Sequence, residues 1–133
     1  MTRVKLDTIK LREIFKSHPE VRLVYLFGSQ ATEKTGPLSD HDFAVFLDDK
    51  ISNQQMFDIK FMLQDKLSRE LKTDKIDIVI LNLTQGPELK YNIIKNGKLI
   101  YEIEPYRLIL EPRILNSYFD FIYSLRKYNL TKA

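Results

Sequence analysis

Apolar residues recur at helical spacing in four separate parts of the chain. In each part they lie three or four positions apart with charged residues between them, a spacing that lets one helix face pack on a core. Turn-forming residues such as Ser17-His18-Pro19 and Asn96-Gly97 interrupt these patterns and mark helix ends. The pattern predicts four helices, over about residues 6–16, 53–71, 86–97 and 105–128.

Shorter segments between these helices are rich in β-branched and aromatic residues and end at turn residues, which is typical of strands. Residues 21–27, 40–47 and 76–81 fit this description, and residues 98–103 add an edge strand. The order strand, long helix, strand favours a right-handed crossover between the second and third strands. We therefore expect an α/β fold, a short mixed β-sheet packed with α-helices that lie mainly on one face. The other face or an edge then remains for a functional site.

Length and composition indicate one compact domain over residues 1–133. The chain is 44% hydrophobic and 29% charged, and its lack of cysteine excludes thiolate metal sites and cysteine nucleophiles. No apolar run is long enough for a membrane span or a signal peptide, so we expect a cytoplasmic protein without a membrane partner. The net charge of +3 comes from dispersed positions, so we do not expect nucleic acid as the partner.

Two aspartates at the start of the second strand form the first candidate site. Asp40 and Asp42 are two residues apart, so on an extended strand they project from the same side. Like charges this close raise one another's pKa unless a cation neutralises them, and oxygen ligands alone suit Mg²⁺ or Mn²⁺. Asp77 lies in the third strand. If that strand is the neighbour of the second, Asp77 completes a three-carboxylate cluster able to hold two divalent ions.

The pair Gly28-Ser29 follows the first strand and supplies a second kind of chemistry. Glycine lets the main chain approach a phosphate, the amides of such a turn can point at it, and the Ser29 hydroxyl adds a donor. A phosphate-binding turn beside paired aspartates indicates nucleotide chemistry.

Each of these residues also has an ordinary structural interpretation. Asp40 could cap a turn, Asp42 could pair with a lysine, and Asp77 could be tolerated at a solvent-exposed strand end. His41 lies between the two aspartates, and strand alternation aims it at the opposite face, which favours a hydrogen-bonded histidine against the helices over a role in proton transfer. The combined spacing favours the metal site over these interpretations.

The order of these residues resembles that of a known superfamily. Gly28-Ser29, ten intervening residues, the Asp40-His41-Asp42 triplet and a later strand with Asp77 are similar to the DNA polymerase beta-like nucleotidyltransferases. Within that superfamily the chain looks most like the minimal nucleotidyltransferases (MNT), which are often encoded beside a HEPN-domain protein. The resemblance covers about residues 20–82 and implies the DNA polymerase beta-like nucleotidyltransferase fold.

The same resemblance implies roles for individual residues. Gly28 and Ser29 would hold the phosphates of the nucleotide, Asp40 and Asp42 would bridge two Mg²⁺ ions, with Mn²⁺ as a possible substitute, and Asp77 would bind the catalytic ion. It further implies ATP as the substrate. Members of this kind act as antitoxins that transfer an adenylyl group to a tyrosine hydroxyl of the HEPN toxin.

One position departs from the family pattern and keeps other functions open. Glu33 stands where the family has a glycine, and its charge disfavours a triphosphate unless it faces solvent or Lys34 offsets it. A catalytically weak antitoxin that acts by binding its HEPN partner is therefore the alternative. A third function, modification of an antibiotic, needs a further helical domain that we do not expect in a chain of this length.

The last predicted helix carries more aromatic residues than one packed face requires. A small monomer can bury only part of such a surface. We therefore expect the helix over about residues 105–128 to pack on the core and also to contact a partner, in a homo- or hetero-oligomer. The residues that extend this surface are Tyr118, Phe119, Phe121, Ile122 and Tyr123.

Overall fold

The computed structural model describes residues 8–28 and 41–128, which form one sheet with helices against it. Each predicted element is confirmed, and its ends agree within one residue wherever they fall in the described ranges. In chain order the elements are α1 (Thr8–Lys16), β1 (Val21–Phe27), β2 (His41–Leu47), α2 (Asn53–Leu71), β3 (Ile76–Ile80), a 3-10 turn (Leu81–Leu83), α3 (Pro87–Asn96), β4 (Lys98–Glu102) and α4 (Tyr106–Lys127).

The sheet is mixed, with the strand order β3-β2-β1-β4. β1 is antiparallel to both β2 and β4, whereas β2 and β3 are parallel and are joined by α2. α2 begins at a capping box in which the Ser52 hydroxyl accepts the N–H of Gln55 at 3.1 Å and the Gln55 side chain accepts the N–H of Ser52 at 2.9 Å. The predicted helical crossover is thus confirmed, and the two strands that it joins are neighbours in the sheet.

Helices cover both faces of the sheet, so the expectation that they lie mainly on one face is wrong. α1 and α2 bury residues such as Phe15 and Leu63 against one face, and α3 and α4 bury Ile93 and Ile114 against the other. The cause is visible in β2, whose residues 43–47 are all buried. A strand with an unbroken buried run has no side left for solvent.

α4 is fixed to the sheet by a polar contact as well as by its apolar residues. The Tyr25 hydroxyl of β1 donates to Glu111 Oε2 at 2.7 Å, and Arg107 Nε donates to the same oxygen at 3.0 Å. Burial, followed by the hydrogen bond to Glu111, raises the pKa of Tyr25, which therefore stays protonated. Among the described residues, no helix has the length and apolar character needed to cross a bilayer.

Candidate active site

Asp42 and Asp77 are direct neighbours across two parallel strands. The register of β2 and β3 pairs Asp42 with Asp77, so the two residues share one face of the sheet. Neighbouring strands lie about 4.8 Å apart, which brings the two carboxylates into the same small volume. The condition set by the sequence, that the third strand lie beside the second, is therefore met.

The two carboxylates differ in their surroundings. Asp42 is half-buried between β1 and β3, because it pairs with Phe27 on one side and with Asp77 on the other. Asp77 is exposed, because α3 and α4 pack over β1 and leave the β3 side of the sheet open. Asp42 and Asp77 lie on the face of the sheet that α3 and α4 also cover, so the candidate site does not have a face of the sheet to itself.

Gly28 ends β1 in a conformation that only glycine adopts readily. Its φ is +76°, in the left-handed region. A Cβ atom built on Gly28 would overlap Oδ2 of Asp42 and lie 3.4 Å from its Cγ. The main chain at Gly28 is therefore in contact with the Asp42 carboxylate, and both the backbone angle and the available space require the absence of a side chain.

His41 lies on the other face of the sheet from Asp42. Its register partner Ile76 belongs to the core beneath α1 and α2. The backbone N–H of His41 donates to the Lys75 carbonyl at 2.9 Å. The side chain is half-buried. This placement agrees with the prediction that alternation directs His41 away from the aspartates.

Three residues of the sequence hypothesis lie outside the described residues, namely Ser29, Asp40 and Glu33. Within ranges 8–28 and 41–128, no group of three or more acidic, histidine or cysteine side chains is placed to hold a metal ion. Asp42 and Asp77 nevertheless provide the oxygen donors that Mg²⁺ prefers, and no lysine or arginine of the described part forms an ion pair with Asp77. The donor set present thus fits a hard divalent cation.

Sequence reasoning missed the contact between Gly28 and Asp42. From the sequence, Gly28 is interpreted only as a residue that lets the main chain approach a phosphate. The contact depends on the register of β1 with β2, which pairs Phe27 with Asp42. Hydrophobic alternation shows which side a residue faces, but not which residue it meets on the next strand.

This fold, with two carboxylates paired across β2 and β3, is that of a nucleotidyltransferase. The chain belongs to the Polymerase beta nucleotidyltransferase family, whose sequence profile matches residues 9–106. The resemblance inferred from the Gly-Ser and aspartate pattern is therefore confirmed at the level of the family.

A more specific likeness is to the protein adenylyltransferase MntA of Aphanizomenon flos-aquae (strain 2012/KM1/D3). The two sequences are 32% identical over 108 residues, which cover 76% of this chain and 69% of MntA. The chain is thus a homologue of a protein adenylyltransferase.

Solved structures show the same fold. A toxin–antitoxin complex with AMP-PNP matches with a TM-score of 0.75 and 22% identity, over 92% of this chain and 95% of that one. A complex of tri-AMPylated Shewanella oneidensis HEPN toxin with MNT antitoxin matches with a TM-score of 0.67 and 20% identity, over 91% of each chain. At these identities the likeness concerns the fold alone.

Proposed function

We propose that this chain is a metal-dependent adenylyltransferase that serves as the antitoxin of a HEPN/MNT pair. It transfers an adenylyl group from ATP to a tyrosine hydroxyl of its HEPN toxin. The observation that supports this most directly is the pairing of Asp42 with Asp77 beside the left-handed turn at Gly28. The 32% identity to a protein adenylyltransferase favours a protein as acceptor.

In this proposal each side chain has a distinct task. The turn at Gly28 and Ser29 binds the phosphates of ATP through main-chain N–H groups and a hydroxyl. Asp40 and Asp42 would hold two Mg²⁺ ions and Asp77 one of them. Bound Mg²⁺ lowers the pKa of an acceptor hydroxyl and offsets the charge of the leaving pyrophosphate.

The acceptor step follows from the position of Asp77. Its exposed carboxylate orients the tyrosine hydroxyl and accepts its proton. The tyrosine oxygen then forms a bond to the α-phosphorus. On the opposite side of the phosphorus, its bond to the oxygen shared with the β-phosphate breaks. Pyrophosphate leaves, and Asp77 passes the proton to solvent.

The toxin contact is assigned to the outward face of α4. Leu108, Phe119 and Tyr123 are 79%, 57% and 64% exposed, although all three are large apolar or aromatic residues. Tyr118 is half-buried instead, because its ring stacks on Tyr91 of α3 at 3.9 Å. One solved structure with this fold is a complex of MNT antitoxin with HEPN toxin, and large aromatic residues carry much of the binding energy at protein interfaces.

The catalytic proposal is tested by transfer of label from ATP labelled at the α-phosphate, with Mg²⁺ and the HEPN protein encoded beside this chain. We expect the toxin to gain adenylyl groups on tyrosine, detected by mass spectrometry, and Asp42→Asn to abolish the gain. Asp58→Asn is the matched control, because Asp58 is exposed on α2, where Gln54 hydrogen-bonds it at 3.0 Å.

The same assay separates the alternative function. Toxin that binds the chain and loses its activity without gaining label would favour the catalytically weak antitoxin that Glu33 suggests. Thermal unfolding gives an independent measure, because ATP with Mg²⁺ should raise the melting temperature more than either alone. No label and no shift would refute the catalytic proposal.

A further inference from the structure

Phe27 is the residue of β1 that lies directly opposite Asp42. The register of β1 with β2 pairs the two residues. Side chains of such opposite residues share a face of the sheet and have Cβ atoms about 4.5–5.5 Å apart. Both residues are half-buried. The aromatic side chain of Phe27 therefore lies beside the Asp42 carboxylate.

The other neighbours of Asp42 on this face are small or exposed. Ala44 follows it on the same side of β2 and has only a methyl group, and Asp77 across β3 is exposed. Gly28 has no side chain, and its main chain contacts the Asp42 carboxylate. Among the described neighbours of Asp42 in the sheet, Phe27 is thus the one with a bulky side chain.

The core holds Phe27 in place. Its side chain packs against the apolar cluster that α3 and α4 form on this face of the sheet. Tyr25 lies two residues earlier on the same side of β1, is 1% exposed, and donates its hydroxyl to Glu111 at 2.7 Å. The residues that surround Phe27 are therefore fixed, so its ring is a firm boundary for the carboxylate beside it.

We propose that Phe27 is a positioning residue for Asp42. Rotation about the Cα–Cβ bond of an aspartate allows three staggered positions. The Phe27 ring and the main chain at Gly28 together restrict this rotation, so that Asp42 keeps one position, in the space that it shares with Asp77. The consequence for ion binding rests on the proposed function, in which Asp42 and Asp77 hold a divalent cation.

A carboxylate that is ordered before binding holds a cation more tightly than a mobile one. Ordering a free side chain at the moment of binding lowers affinity by about 3- to 10-fold. Because Phe27 orders Asp42 in advance, this loss is avoided. Removal of the ring should therefore weaken ion binding by the same factor, although Phe27 itself supplies no ligand atom.

The first test measures the rotamer of Asp42 by NMR in the protein without metal ion, from the three-bond couplings of its β-protons. In the wild type we expect the couplings of a single staggered position, and in Phe27→Ala couplings averaged over several. Averaged couplings in the wild type would overturn the proposal, and so would a single position in folded Phe27→Ala.

The second test measures the affinity for Mn²⁺ from the relaxation of water protons. Phe27→Ala should bind Mn²⁺ about 3- to 10-fold more weakly than the wild type, and Phe27→Leu should recover most of the affinity because it restores a bulky apolar side chain. Tyr106→Ala is the matched control. Tyr106 is also a half-buried aromatic residue packed on the same cluster, but it lies near the start of β1, where the Arg22 guanidinium is 4.9 Å from its ring centre.

These measurements separate the role of Phe27 from the proposed function. If the wild type binds Mn²⁺ and labels the toxin, but Phe27→Ala binds Mn²⁺ as the wild type does or no worse than Tyr106→Ala, the positioning role is wrong and the proposed function stands. If the wild type binds neither Mn²⁺ nor MgATP and labels no toxin, the proposed function fails, and the Asp42 couplings still decide the role of Phe27. Should Phe27→Ala fail to fold, the couplings of the wild type decide.

Discussion

Replacing Gly28 by alanine tests the geometry of the site most directly. An alanine at φ of +76° costs about 1–2 kcal/mol relative to glycine, because its Cβ crowds the neighbouring carbonyl oxygen. The added Cβ also overlaps Oδ2 of Asp42. Since that oxygen ends a short side chain, rotation of the carboxylate can relieve the overlap at about 0.5–1.5 kcal/mol.

These values predict a moderate loss of stability and a larger loss of ligand binding. The free energy of unfolding should fall by about 1.5–3.5 kcal/mol, measured by urea denaturation, because the backbone and rotamer costs add. MgATP binding should fall further than stability does, since the rotated Asp42 no longer points where the proposed ion is held. Gly86→Ala is the control, because a Cβ at Gly86 meets nothing within 4 Å.

A double-mutant cycle with Asp42→Ala isolates the overlap. In that background Gly28→Ala should cost about 1 kcal/mol less, because only the backbone strain remains. An equal cost in both backgrounds would show that Cβ and the carboxylate do not meet. A Gly28→Ala variant as stable as Gly86→Ala would show that the left-handed turn is not formed.

Three further outcomes are expected. Asp42→Asn should weaken both MgATP binding and adenylyl transfer, whereas Asp77→Asn should keep the affinity for MgATP and slow transfer by a factor of about 10² or more. Nucleotide titration and transfer of labelled adenylyl groups measure the two effects. Transfer by Asp77→Asn at the wild-type rate would show that Asp77 is not part of the site. Tyr123→Ala should weaken toxin binding, measured by calorimetry, whereas replacement of the exposed Phe61 of α2, on the opposite face of the sheet, by alanine should not. Equal effects of the two substitutions would place the toxin interface elsewhere. His18 is 7% exposed, and its pKa is lowered mainly by burial and also by the positive charge of Lys66. The unfolded chain therefore binds the proton more readily, so the free energy of unfolding should fall as pH drops below about 6.5, and a His18→Gln variant should lack that loss.

The helices and strands were largely predictable from the sequence, whereas the order of the strands in the sheet was not. The turn residues and the long amphipathic pattern of α2 between two strands favour a crossover connection. Alternation along β2 then correctly separates Asp42 from His41. Ser29 and Asp40 remain predictions from the sequence, because they lie outside the described residues.

The hydrophobic pattern carried a signal for the placement of the helices but not for the contact between Gly28 and Asp42. The apolar run Phe43–Leu47 already indicates a strand covered on both faces, so the two-sided packing had a signal in the sequence. The contact of Gly28 with Asp42 had none, because it depends on the register of β1 with β2.

The order of the strands explains how one short sheet can bring two substrates to one place. β2 lies between β1 and β3, so Asp42 has the nucleotide turn at Gly28 on one side and Asp77 on the other. Under the proposed function, the donor and the acceptor therefore approach the same carboxylate from opposite sides without competing for space. On its other side β1 pairs with β4, and α3 and α4 cover it. Under the proposed function the protein acceptor therefore reaches the site beside Asp77, whose side chain is exposed.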